Sequence, residues 1–332
     1  MTEPKKKSAK VVSWGRYLPE KILTNADLEK LVDTTDEWIT TRTGIKERRI
    51  AAKDEFSSNM GAKAAQKALD KAGVSADEVD LIVVATLTPD YLFPSTACLI
   101  QKELGAKKAA AFDFQSACSG YVYGLSLAKA YVESGMYKNV LLVASEKLSA
   151  ITDYEDRSTC VLFGDGACAC LIQPAEKGLE ILGIEMGSDG SQAEILMQPG
   201  GGSRQPPTHA SIDARAHYVK MDGAEVFKHA VRRMIHACET VLKKNKLSES
   251  DIDWLIPHQA NERIIDAIAK RFHIEDKKVY KTVAKYGNTS ASSVGIALEE
   301  CLSEHPLREG GHILLTAFGA GLTWGAAILK NV

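Results

Sequence analysis

The chain has 332 residues, 45% of them hydrophobic and 25% charged, proportions that give a globular protein with a substantial core and exclude disorder over most of its length. Its 41 Lys and Arg against 43 Asp and Glu leave a formal charge of −2, which argues against a general nucleic-acid binder. No apolar run approaches the roughly 20 residues needed to cross a bilayer, so no membrane partner is expected.

In chain order, residues 1–9 carry Lys5-Lys6-Lys7 with no hydrophobic stretch behind them and read as a flexible, solvated tail rather than a signal peptide. Asn59 to Ala72 places Ala64, Ala65, Ala68 and Leu69 on one helical face. Leu81-Ile82-Val83-Val84-Ala85 is a continuous apolar run of the kind formed by a strand buried on both faces. Cys118 to Ser134 reads as a helix with Val122, Leu125, Ala128 and Val132 on one face, and Val140 to Ala144 as a second buried strand. Pro199-Gly200-Gly201-Gly202, with Pro206-Pro207 behind it, is a loop; without a following Gly-Lys-Ser/Thr it is not a phosphate cradle. Val226 to Leu242 and Val294 to Leu302 are further helices, and Ile313-Leu314-Leu315 a third buried strand. Helix alternating with strand predicts an α/β fold with largely parallel sheets.

An internal repeat organises these elements. Ser75 to Val83 resembles Ser248 to Ile256, each after an amphipathic helix; Ser119 to Val143 and Ser290 to Leu315 both read helix then strand. The repeat predicts two similar halves, residues 10–175 and 176–332. Parallel α/β sheets collect function at the carboxyl ends of their strands. Cys118, His258, Asn288 and Gly319-Ala320-Gly321 all fall at such ends, so they are placed to converge.

Cys118 stands in Gln115-Ser116-Ala117-Cys118-Ser119-Gly120, at a helix start where the unpaired N–H groups favour thiolate and suit a nucleophile. The sequence leaves the alternative of a small buried hydrophobe open for Cys118. Cys98, Cys160, Cys168, Cys170, Cys238 and Cys301, inside apolar segments, read that way. Seven cysteines without a CxxC pair fit free thiols in a reducing, cytoplasmic compartment. His258 ends a buried strand and is either structural or catalytic; Asn288 is either a helix N-cap or a hydrogen-bond donor. Together a neutral His and an Asn offer donors for negative charge growing on a carbonyl oxygen. Gly319-Ala320-Gly321 is either a tight turn or a place where a backbone N–H meets a substrate oxygen. Trp38 follows the capping pattern Thr34-Thr35-Asp36-Glu37, and Arg157 reads equally well as a surface ion pair.

These residues complete a set of motifs: Asp36-Glu37-Trp38-Ile39 with Arg42-Thr43-Gly44-Ile45, Phe93-Pro94-Ser95-Thr96, Ala117-Cys118-Ser119-Gly120, Asp156-Arg157, Phe163-Gly164-Asp165-Gly166-Ala167, Pro257-His258-Gln259-Ala260-Asn261, Gly287-Asn288-Thr289-Ser290-Ala291-Ser292 and Gly319-Ala320-Gly321-Leu322-Thr323-Trp324-Gly325. From about Val11 to Leu329 the chain resembles the ketoacyl-acyl carrier protein synthase III family of condensing enzymes. The resemblance implies a duplicated thiolase-like fold, five layers αβαβα with two mixed, mostly parallel sheets, and a homodimer. It implies a catalytic triad of Cys118, His258 and Asn288, with backbone N–H groups of Cys118 and Ala320 as oxyanion hole. Trp38, Arg42, Arg157 and Asn261 match coenzyme A contacts, and Phe93 and Phe163 match acyl-pocket residues, Phe93 reaching into the partner subunit. Lys228 and Arg263 match carrier-docking positions, to which Lys270 and Arg271 are near.

The implied reaction is the decarboxylative condensation of a primer acyl-CoA, acetyl-CoA first, with malonyl-acyl carrier protein, through an acyl-Cys118 intermediate. It starts fatty-acid synthesis and needs no metal or redox cofactor. Ala320 departs from the glycine often found there, and suits the turn only where its φ is negative. Three other readings compete: a thiolase-fold acyltransferase of a specialised pathway, a thiol hydrolase with papain's Cys-His-Asn order, and a non-catalytic carrier-binding protein. The hydrolase lacks the Cys-Gly-Ser-Cys-Trp context, and the carrier-binding protein predicts a degraded triad.

Overall fold

The computed structural model describes residues 8–332; Lys5-Lys6-Lys7 lies outside the described residues. Ala9, expected at the inner end of a flexible tail, is instead part of the fold. Ala9 is fully buried and its carbonyl accepts from the Ile181 N–H at 3.0 Å, because it continues the pairing of the first strand.

Nine strands form the main sheet: β1 (Lys10–Tyr17), β2 (Leu81–Ala85), β3 (Ala110–Phe114), β4 (Val140–Glu146), β5 (Gly166–Gln173), β6 (Leu179–Ser188), β7 (Ile252–Pro257), β8 (His312–Gly319) and β9 (Thr323–Asn331). Their spatial order is β7-β8-β9-β6-β1-β5-β4-β2-β3. In the first half β2, β3 and β4 are parallel; β5 runs against β4 and β1 against β5, so β5 alone is reversed. In the second half β7 and β8 are parallel, and only β9 is reversed between β8 and β6. Where two sheets were expected there is one, because its two halves join edge to edge at Lys10↔Glu180 and Val11↔Leu179.

Seven helices matter for the site: α1 (Asp36–Thr43), α2 (Ser57–Ala72), α3 (Thr96–Leu104), α4 (Gly120–Glu133), α5 (Gly223–Lys244), α6 (Glu262–Arg271) and α7 (Ser292–Glu304). The core divides as a period of two dictates. Leu81, Val83, Leu142 and Ala144 from one half-sheet and Ile313, Leu315, Ala327 and Leu329 from the other face a middle layer made of α4 and α7. Ile82, Val84, Leu141 and Val143 turn the opposite way, onto α2 and α3. Leu255, Leu314, Ala326 and Ile328 turn outward onto α5 and α6. Hence five layers, and hence strands apolar at every position: each faces helices on both sides, and each fully buried Leu, Ile or Val contributes about 1.5–3 kcal/mol.

The repeat has a physical basis in paired caps. Ser75 and Ser248 each close a capping box at the 3-10 turn before β2 and β7. Asp80 Oδ2 then accepts from the N–H groups of Lys138 and Asn139 at 2.9 and 2.8 Å, and Asp253 Oδ2 from that of His312 at 2.9 Å. Each aspartate pins the start of the neighbouring parallel strand, β4 or β8.

Candidate active site

Cys118 is presented by a forced turn. β3 ends at Phe114, and a 3-10 turn, Ala117–Ser119, runs straight into α4. Ala117 takes φ 46°, a region L-residues rarely occupy. Gly319 backs onto this turn, and a Cβ there would lie 2.6 Å from the Cys118 nitrogen, so only glycine fits. The Thr323 hydroxyl donates to the Ser116 carbonyl at 2.9 Å and ties the β8–β9 hairpin to the turn. Burial pushes the Cys118 thiol up to about 12; the Ser290 hydroxyl opposes that rise and the Glu146 charge adds to it. Loss of solvent thus favours the thiol at neutral pH, against the thiolate expected from the helix start.

His258 follows β7. Its N–H donates to the Thr316 carbonyl at 2.8 Å, extending the parallel ladder, and its Nδ1 lies 2.6 Å from Ser293 Oγ on α7. Burial lowers its pKa to about 3, so the ring is neutral. Gln259, fully buried, fixes the loop: its Nε2 donates to the Pro257 carbonyl at 2.7 Å, and its Oε1 accepts from the Thr282 N–H at 2.7 Å. Asn288 is not a helix N-cap. Helix α7 starts at Ser292 without a side-chain cap, and Asn288 Oδ1 instead accepts from the Ser290 N–H at 2.8 Å. Among the described residues its Nδ2 is uncommitted. Backbone pairing with Leu162 and Gly164 (2.8 and 3.0 Å) sets Asn288 beside Phe163.

Cys118, His258, Asn288 and Ala320 line one cavity of about 1180 Å³ that reaches out past Phe163 and Asn261 to Trp38 and Arg42. In the Gly319–Gly321 turn the positive φ falls on Gly321 (132°) and not on Ala320, so alanine is accommodated there. At the outer end the Arg42 and Arg157 guanidinium carbons each lie 5.0 Å from the centroid of the Trp38 ring. Thr35 caps α1, accepting from the Trp38 N–H at 3.1 Å, which holds the indole at the rim.

Two family models match: 3-oxoacyl-[acyl-carrier-protein (ACP)] synthase III over residues 112–190 and its C-terminal part over residues 242–331. The chain is 58% identical to beta-ketoacyl-[acyl-carrier-protein] synthase III of Chlamydia muridarum over 98% of this chain and 99% of that one. The chain belongs to the 3-oxoacyl-[acyl-carrier-protein] synthase III family. Among solved structures, the synthase III of Aquifex aeolicus superposes with a TM-score of 0.89 at 49% identity, over 97% of this chain and 99% of that one. The priming beta-ketosynthase of the R1128 polyketide pathway gives 0.91 at 35% identity, over 100% of this chain and 98% of that one.

Of the positions matched to synthase III motifs, the cavity gathers Trp38, Arg42, Cys118, Phe163, His258, Asn261, Asn288 and Ala320, with Arg263 at its edge. Arg157 stays outside the lining, and its Nη1 donates to the Asp33 carbonyl at 2.8 Å. Phe93 points away, 86% exposed beside Tyr91 and Leu92. Lys228, Lys270 and Arg271 are exposed on α5 and α6. Lys228 pairs with Glu225 at 2.8 Å and Arg271 pairs with Glu239. Sequence reasoning missed Ser293, Gln259, Ser290 and Glu146. For Glu146 a signal existed: a lone carboxylate closing an otherwise apolar strand.

Proposed function

We propose that the protein primes fatty-acid synthesis, joining an acyl group from acyl-CoA to a malonyl unit on an acyl carrier protein. The observation that carries this is one cavity lined by a cysteine, a neutral histidine, an uncommitted asparagine amide and a glycine-flanked hairpin turn. In the first half-reaction Cys118 Sγ attacks the thioester carbonyl, the N–H groups of Cys118 and Ala320 receive the oxyanion, and coenzyme A leaves. Trp38, Arg42 and Arg157 hold its nucleotide end, and Asn261 lines its pantetheine arm. In the second, malonyl-carrier enters. Asn288 Nδ2–H and His258 Nε2–H, the latter with Nδ1 on Ser293, donate to its thioester carbonyl as carbon dioxide departs. The enolate carbon attacks acyl-Cys118, giving a 3-oxoacyl-carrier and free Cys118. Each donor is worth about 3 kcal/mol in comparable sites.

The primer is a short acyl group, acetyl first, against the apolar wall of Leu148, Phe163 and Val219. Arg263, Lys270, Lys228 and Arg271 receive the acidic carrier, the working protein is a cytoplasmic homodimer, and no metal or redox cofactor takes part. Mass spectrometry after incubation with acetyl-CoA is expected to find one acetyl group, on Cys118. No adduct on Cys118 sinks the scheme.

A further inference from the structure

A buried carboxylate stands behind Cys118 with no part in the scheme above. Glu146, the last residue of β4, is fully buried. Its Oε2 accepts from the N–H groups of Leu87 and Thr88 at 3.1 and 3.2 Å and from the hydroxyls of Thr86 and Thr88 at 3.2 and 2.7 Å. Among the described residues its Oε1 has no hydrogen-bond partner, and neither has the buried hydroxyl oxygen of Ser290. An unpartnered buried oxygen is costly unless it serves something.

The packing brings these atoms to the cysteine. A Cβ at Gly120 would lie 2.8 Å from Ala85 Cβ and 2.9 Å from Ala291 Cβ, so the Cys118 turn is wedged between the end of β2, which leads to Thr86, and the segment after Ser290. Ser290 shares the cavity lining with Cys118. It takes φ 50°, a strained conformation for a non-glycine residue, held by its N–H on Asn288 Oδ1 at 2.8 Å. Its hydroxyl lowers the pKa of both the Cys118 thiol and the Glu146 carboxyl against the effect of burial. Resting contacts of this kind tighten when substrate binds.

We propose that Ser290 and Glu146 are the proton path of Cys118. As Sγ bonds to the thioester carbonyl carbon, the thiol proton passes to Ser290 Oγ while the Ser290 hydroxyl proton passes to Glu146 Oε1. When the carbon–sulfur bond to coenzyme A breaks, the departing sulfur takes a proton from Ser290, which Glu146 refills. One carbon–sulfur bond replaces another and one proton moves from Cys118 to coenzyme A, with no co-reactant. The inference rests on the acyl-Cys118 reading.

His258 is the weaker acceptor, since burial holds it near 3, whereas burial holds Glu146 near 7, matched to neutral pH. The titratable group facing Glu146 across Ser290 is the Cys118 thiol, which burial keeps protonated. The adjoining Lys147 turns its Nζ away, to the carbonyls of Ala52 and Glu55 at 2.9 and 2.5 Å.

The test follows the acetylation rate of Cys118 against pH in the full protein, native, Glu146→Gln and Ser290→Ala, with melting curves as a check on folding. Glutamine keeps the shape of the neutral carboxyl, and Ser290→Ala removes one oxygen. In the native protein the rate is expected to rise about tenfold per pH unit and to level off near the Glu146 pKa of about 7. Both variants are expected to lose that limb and to acetylate at least about tenfold more slowly at neutral pH. A folded Ser290→Ala protein with the native rate and the native limb overturns the proton path, whatever becomes of Glu146→Gln. A native protein that forms no adduct overturns the acyl-Cys118 reading instead.

Discussion

Burial keeps His258 a neutral ring, so in the proposed scheme what it brings to the carbonyl is a hydrogen bond rather than a proton. Its Nδ1 lies 2.6 Å from Ser293 Oγ, and while that hydroxyl donates the ring proton is held on Nε2. His258→Ala and Asn288→Ala are therefore expected to cut condensation about 10²–10³-fold each, the worth of a lost oxyanion donor, while acyl-Cys118 still forms. Parallel assays of carbon dioxide release from malonyl-carrier and of Cys118 acylation check the split; equal loss in both would contradict it. Ser293→Ala is expected to follow His258→Ala at smaller amplitude, because it frees the tautomer without removing the ring.

At the scale of elements, the β8–β9 hairpin and the Ala117–Ser119 turn behave as one block, joined at Gly319 and through Thr323. Gly319→Ala places a methyl 2.6 Å from the Cys118 nitrogen. Overpacking of this kind costs about 1–3 kcal/mol, and the turn gives way before the strand does. A modest fall in denaturant midpoint with a far larger fall in acylation rate is expected from paired unfolding and burst measurements. The buried strands β2, β4 and β8 were legible because helices cover both of their faces and leave every position apolar. β1 and β6 were not: their burial is broken by half-exposed Val12, Trp14 and Ile184, and no apolar run marks them. At the site, Cys118 and His258 were legible from their places after strands. The acidity of Cys118 was not, because neighbours distant in sequence set its dielectric surroundings. Ser290 stood inside a recognised motif yet showed no role, since its hydroxyl matters only once β4 brings Glu146 behind it.

Across the whole molecule, charge and exposed apolar surface bear on the two macromolecular contacts proposed above. Lys228 and Arg271 already hold carboxylates of their own chain, whereas Arg263 and Lys270 pair with none among the described residues. An Arg263→Ala, Lys270→Ala double variant is expected to raise KM for malonyl-carrier about tenfold at low salt, and Lys228→Ala, Arg271→Ala by less. The difference should shrink as salt brings the Debye length below about 8 Å, which steady-state titration at several ionic strengths would read. Tyr91, Leu92 and Phe93 form an apolar tip 61, 85 and 86% exposed, more than a solitary subunit usually leaves in water. Leu92→Asp, Phe93→Asp is expected to shift a dimer toward monomer in sedimentation velocity.

The two-rung seam between β1 and β6 has a consequence of its own. Cys118 belongs to one side of it and His258 and Asn288 to the other, so on the proposed scheme neither side carries a full set of groups. A chain nicked in the connection 174–178 would yield two inert fragments, and any turnover recovered on mixing them would be a direct count of reunited pairs.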